Sequence, residues 1–138
     1  MYKKVFLDTN PIIYLLENQE PYSTKVKSFL LDCMGNKSEF YTTTITDIEF
    51  MVKPLKEKKL SDIETYKNFL KALNVLKCYI NDSIAEQAAK LRVQYENIKL
   101  ADAIQLAASM DAGCDVFLTN DKQLKQVFSA NVVYLGDL

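Results

Sequence analysis

Four acidic residues stand where they could do chemistry: Asp8, Glu49, Asp102 and Asp121. Asp8 directly follows the apolar run Lys4–Leu7, and Asp121 follows Val116–Thr119. Glu49 and Asp102 lie in the first turns of helical patterns opening near Thr46 and at Leu100. Carboxylates gathered at one point repel one another, which raises their pKa values and costs stability unless a cation neutralises them. Such a set suits a hard divalent ion with oxygen ligands: Mg²⁺, Mn²⁺ or Ca²⁺. One or two Mg²⁺ ions there would acidify water and offset the charge developing on a phosphodiester under in-line attack.

The chain contains no histidine. That excludes Ser-His-Asp and Cys-His nucleophile systems, histidine acid–base pairs, and histidine-ligated zinc or copper. Carboxylates and lysines are the charged tools left. Net charge is −1, so bulk electrostatics do not advertise a nucleic-acid binder, and Arg92 is the only arginine. Cys33, Cys78 and Cys114 lie far apart without a C-x-x-C pair and read as reduced core thiols.

The acids need a scaffold, and the chain alternates short apolar runs with helical patterns throughout. Strands are expected at Lys4–Leu7, Phe40–Thr43, Val75–Ile80, Val116–Thr119 and Val132–Leu135. The first helix should start at Asn10-Pro11, with asparagine as cap and proline at the first helical position. A second carries Val26, Phe29, Leu30 and Cys33 and ends near Gly35. A third begins around Thr46 and stops before Pro54, since the residue before proline avoids helical backbone. Further helices are expected over Ser61–Leu73, Ser83–Tyr95, Leu100–Ala112 and, briefly, Asp121–Phe128, with Gly113 closing the long one. Strands alternating with helices imply a three-layer α/β/α sandwich around a central parallel sheet of about five strands. The 138 residues and 49% hydrophobic content predict one domain, 1–138, with a real core. No apolar run nears the ~20 residues that cross a bilayer, and the N-terminus lacks a signal peptide, so a cytoplasmic protein is expected.

In such a sheet, functional groups gather beyond the carboxyl ends of the strands, near the point where strand order reverses. Crossover helices run back along the strands, so their N-termini sit on that same rim. All four acids therefore belong to one rim, and they converge if the first strand is central. Each has a plainer reading as well. Asp8 could cap the first helix, although Thr9 and Asn10 are better placed to do so. Thr46-Asp47-Ile48-Glu49 reads as a capping box, as do Ser61–Glu64 and Ser83–Glu86. Glu86 also follows a strand, so the local pattern does not choose between Glu49 and Glu86. Gln105 and Ser109 share a helical face with Asp102, consistent with a solvated polar stripe. Asn120-Asp121 could be an N-cap pair. Lys53, Lys56, Lys58 and Lys59 around Pro54 read as a solvated loop rather than a phosphate contact.

Taken in order, these segments resemble a known family. Leu7-Asp8-Thr9-Asn10 with Ile12-Ile13 resembles the opening motif of PIN-domain nucleases. Ile45–Phe50 is similar to their second motif, Leu100–Ile104 to the third and Leu118–Asp121 to the fourth. The likeness runs over essentially the whole chain. It implies metal-site roles for Asp8, Glu49, Asp102 and Asp121, which favours Glu49 over Glu86, and supporting roles for Asn10 and Thr119. A lone domain of this length resembles VapC-type toxins of toxin–antitoxin pairs. That likeness implies Mg²⁺- or Mn²⁺-dependent RNA cleavage, a homodimer, and a cognate antitoxin protein that blocks the site. Gln105 departs from the pattern, standing where the family usually carries an apolar residue.

Two other readings compete. A dehalogenase-like phosphatase would use Asp8 as nucleophile, but it wants a second acid two residues on, where this chain has Asn10. A PIN-like scaffold could bind RNA or protein without cutting; against it, all four acidic positions are filled.

Overall fold

The computed structural model describes all residues, 1–138. The strands are β1 (Lys4–Leu7), β2 (Glu39–Thr43), β3 (Leu76–Cys78), β4 (Val116–Thr119) and β5 (Val132–Tyr134). The helices are α1 (Thr9–Leu16), α2 (Tyr22–Gly35), α3 (Thr44–Glu57), α4 (Leu60–Ala72), α5 (Asp82–Gln94) and α6 (Leu100–Asp111). Short 3₁₀ turns at Lys122–Gln126 and Phe128–Ala130 lead into β5. All pairings are parallel, in the order β3-β2-β1-β4-β5. No helix is long and apolar enough to cross a membrane.

β1 and β4 lie at the centre, and their side chains are apolar on both faces because both faces are covered. Val5, Leu7, Val116 and Leu118 pack with α1, α2, α3 and α4 through Ile12, Val26, Leu30, Phe50, Tyr66 and Leu70. Phe6 and Phe117 point the other way, stack on each other at 5.1 Å, and pack with α5, α6 and the 3₁₀ turns. The chain steps from β1 to β2 to β3 beneath one helical layer. It returns to β4 and β5 beneath the other. Opposite directions over opposite faces give every crossover the same hand. Strand order therefore reverses between β1 and β4, which opens the crevice at their carboxyl ends.

Several local expectations need correction. α1 begins two residues earlier than expected, and its cap is Asp8, whose side chain accepts from the Thr9 amide. Pro11 is then the third helical residue, where its missing N–H would have had no partner in any case. α3 is capped by Thr43 rather than Thr46 and runs through Pro54 to Glu57. Pro54 is buried in the last turn, and left-handed Lys58 closes the helix just beyond it. Burial of the ring offsets the hydrogen bond that proline removes. β3 is an edge strand of three residues only, and Tyr79 and Ile80 are exposed instead of extending it. Ser83 Oγ donates to Asp111 Oδ1 at 3.2 Å, so α5 begins beside the end of α6 and the two form an antiparallel hairpin. The N-terminus of α5, with Glu86, therefore lies at the end of α6 remote from Asp102.

Thr43 ends β2, accepts from the Ile45 amide at 3.0 Å, and donates to the buried Gln105 amide. Thr43→Ala should lower stability by about 2 kcal/mol through the lost cap and an unpaired acceptor, whereas Thr43→Ser should lose well under half of that. Denaturant unfolding checks this; equal losses in the two variants would show that the hydroxyl contributes nothing.

Candidate functional site

Asp8 lies at the crevice. Its amide continues the β1–β4 pairing by donating to the Leu118 carbonyl at 3.0 Å, which carries the residue just past the strand. Only 5% of it is exposed, and its two oxygens are held separately. Oδ1 accepts from the Thr9 amide at 2.9 Å, and Oδ2 accepts from Thr119 Oγ1 at 2.7 Å. Each of these threonines joins Asp8 to another acid. Thr9 Oγ1 donates to Glu49 Oε1 at 2.6 Å. Thr119 Oγ1 accepts from the Asp121 amide at 3.0 Å. Three of the four acids thus share one hydrogen-bonded frame.

Asp102 joins this group through space. It occupies the first turn of α6, where the positive end of the helix favours an anion. Burial pushes its carboxyl up to about 6, repulsion from Asp121 and Glu49 adds to the rise, and Lys99 counters it. Asp8 is likewise raised to about 6, first by burial, with hydrogen bonds from Thr119 and Thr9 opposing and repulsion from Asp102 and Glu49 adding. Mutual repulsion of this kind requires proximity. The four acids lie near one another beyond the carboxyl ends of β1 and β4.

None of the four has a lysine or arginine as ion-pair partner; the ion pairs are Lys53–Glu17, Lys59–Glu57, Lys77–Asp47 and Lys125–Asp137. Carboxylates without an ion-pair partner offer the hard oxygen ligands that divalent ions such as Mg²⁺ take. As the side chains stand, no three of them converge tightly enough to grip one ion together. Asp8 is fixed, whereas Glu49 is exposed and Asp102 and Asp121 are half-buried.

The two expected supports divide. Thr119 is fully buried and braces Asp8. Asn10 is exposed, and its side chain makes no hydrogen bond. Asp121 also caps the following 3₁₀ turn, accepting from the Gln123 amide at 3.0 Å. The solvated stripe expected beside Asp102 is absent, because Gln105 and Ser109 are buried at 1% and 0% exposure. Gln105 belongs to a buried polar network with Thr9, Thr42, Thr43 and Thr46 that sequence reasoning missed. One signal was available: Thr46 shares the face of Phe50 and Pro54, the inward face of α3.

A parallel sheet with a carboxylate crevice at its strand reversal defines an α/β domain built around anionic side chains. Residues 5–128 match the PIN domain family, and the chain belongs to that family. Among solved structures it is similar to a toxin–antitoxin complex from Klebsiella pneumoniae, with 24% identity, TM-score 0.71, and coverage of 95% of this chain and 97% of that one. It is also similar to VapBC-1 from nontypeable Haemophilus influenzae, at 19% identity and TM-score 0.76, covering 96% and 98% of the two chains. VapBC2 from Rickettsia felis, bound to a promoter DNA fragment, aligns at 14% identity and TM-score 0.74, covering 95% and 98%. At these identities the likeness is one of fold. No curated protein shows significant similarity to the sequence.

The raised carboxyls carry a pH signature. Folded Asp8 and Asp102 hold protons up to about pH 6 that the unfolded chain releases near its ordinary value of 3.8. Their contribution to stability therefore falls as pH rises from about 4 to about 6. Asp8→Asn keeps an acceptor for the Thr9 amide and removes the charge. In chelator it should be more stable than the parent by about 2 kcal/mol at pH 7.5, with the difference shrinking towards zero near pH 4. Unfolding at both pH values checks this, and a difference independent of pH would contradict the assignment.

Proposed function

We propose that this protein is a Mg²⁺- or Mn²⁺-dependent endoribonuclease and the toxin of a toxin–antitoxin pair, with residues 1–138 acting as one nuclease domain. The observation that carries the reading is four neighbouring carboxylates, none of them in an ion pair, with Asp8 and Asp102 raised by burial and by the charge of the others. Family membership supports hydrolysis of nucleic acid, and the fold likeness to toxin–antitoxin complexes supports the toxin assignment. On the same footing we propose a homodimer in the cytoplasm, restrained by a cognate antitoxin protein that covers the crevice.

Asp8, Glu49, Asp102 and Asp121 would hold the ion. Bound there, it lowers the pKa of water and neutralises charge building on the phosphate oxygens. The protein's part is positioning. Asp8 is presented with a single fixed geometry by Thr9 and Thr119. Glu49 gives one oxygen to Thr9 and keeps the other free of protein donors. Asp102 and Asp121 are half-buried at the rim of the crevice. Lys99, whose charge reaches Asp102, is placed to meet the RNA backbone at that edge.

A second reading has one observation in its favour. No three acids converge on a single point as placed, which suits a PIN-like module that binds RNA or protein without cutting it. Cleavage of a mixed RNA pool separates the two. With Mn²⁺ present, the parent should cut RNA and chelator should abolish the activity, whereas Asp8→Asn should lose about 100-fold or more while remaining folded. RNA binding without any metal-dependent cleavage would replace the nuclease with the binding module.

A further inference from the structure

Gln105 lies one helical turn beyond Asp102 on α6 and is almost completely buried. A buried amide is costly unless its oxygen and nitrogen both find partners. Here Oε1 accepts the Thr43 hydroxyl, and Nε2 donates to Thr46 Oγ1 at 2.8 Å. Both partners lie at the start of α3, the helix that carries Glu49. The amide therefore ties the helix of one acid to the helix of another.

The bonds continue towards the site. Thr46 Oγ1 lies 3.2 Å from Thr9 Oγ1 and 2.8 Å from Thr42 Oγ1. Each hydroxyl has a single proton. Thr42 has the Leu7 carbonyl to donate to at 2.9 Å, and Thr9 has the Glu49 carboxylate at 2.6 Å. An amide N–H can only donate, and an ionised carboxylate can only accept. With the Gln105 amide donating to Thr46 Oγ1, the single Thr46 proton is left for Thr9 Oγ1, because Thr42 already donates to the Leu7 carbonyl. The Thr9 proton is then directed to Glu49 rather than back to Thr46.

We propose that Gln105 is a positioning residue for Glu49. From α6 it orders the Thr43 and Thr46 hydroxyls, and through Thr46 and Thr9 it pins one oxygen of Glu49 so that the other stays free for a cation. Gln105 touches neither substrate nor ion. This inference rests on the divalent-ion reading of the crevice, and it concerns a position where the family usually carries an apolar residue.

The test cuts the chain of bonds at two points. Gln105→Met fills a similar volume without polar atoms, and Thr46→Val keeps the shape of threonine without its hydroxyl. Mn²⁺ binding to the parent, both single variants, their double and Asp8→Asn is measured by calorimetry at pH 7.5. Thermal midpoints in chelator run alongside. Each single variant should bind Mn²⁺ about 10-fold more weakly, and the double should be little worse than the weaker single, because both cut the same chain. In RNA cleavage, kcat should fall while KM stays constant. Should Gln105→Met fail to fold, Thr46→Val carries the test alone. Affinities within about 2-fold of the parent, or additive losses that merely follow the midpoints, overturn the proposal. If Asp8→Asn still abolishes binding in that case, the metal reading stands without it. A parent that binds no Mn²⁺ overturns both.

Discussion

The carboxylate of Asp8 is buried, accepts hydrogen bonds on both oxygens, and has no cation beside it. Burying a charge in this way is unfavourable, and the nearness of Asp102 and Glu49 makes it more so. Nothing in the packing of the core requires an acid at this position. Its cap on α1 and its two hydrogen bonds offset part of that cost, and a cation would relieve the rest. The neighbouring elements are arranged around that burden. The N-termini of α1 and α6 point at the crevice, supplying partial positive charge without a side-chain cation. Thr9 and Thr119 turn a repulsive pair of contacts into a hydrogen-bonded frame.

The sheet sets where the burden falls. β1 and β4 are the two central strands, and only between them does the direction of the crossovers change. Asp8 follows β1 directly, and Asp121 lies two residues past the end of β4. The other two acids arrive on helices entered from outer strands, and their placement depends on how α3 and α6 dock. That docking is polar as well as apolar: the Gln105 amide meets Thr43 and Thr46 in an interior from which water is excluded. Polar networks of this kind hold a unique arrangement where greasy contacts would permit several.

Much of this was legible in the residues. β1 and β4 were found to the residue because short apolar runs ending in an acid have few other readings. α2 was found to its end at Gly35, where the apolar spacing stops. The misreadings came from places where tertiary contacts outweigh local preference. Local preference favours Asn10-Pro11 as the start of α1, yet the Asp8 carboxylate caps that helix while it faces the other acids. Proline ordinarily stops a helix, but Pro54 is buried on the inward face of α3 and the helix runs one turn further. Glu49 and Glu86 could not be separated by pattern. What separates them is the return path from β3, which starts α5 at the far end of α6. Gln105 and Ser109 looked solvated because polar residues usually are, and no spacing rule identifies an amide buried to organise hydroxyls.

Anomalous diffraction from crystals soaked in MnCl₂ decides whether a divalent ion binds beside Asp8. One strong peak is expected within about 2.5 Å of an Asp8 oxygen and within ligand distance of at least one of Glu49, Asp102 and Asp121, absent from Asp8→Asn crystals. Manganese found only at other surface acids, with none beside Asp8, would contradict it.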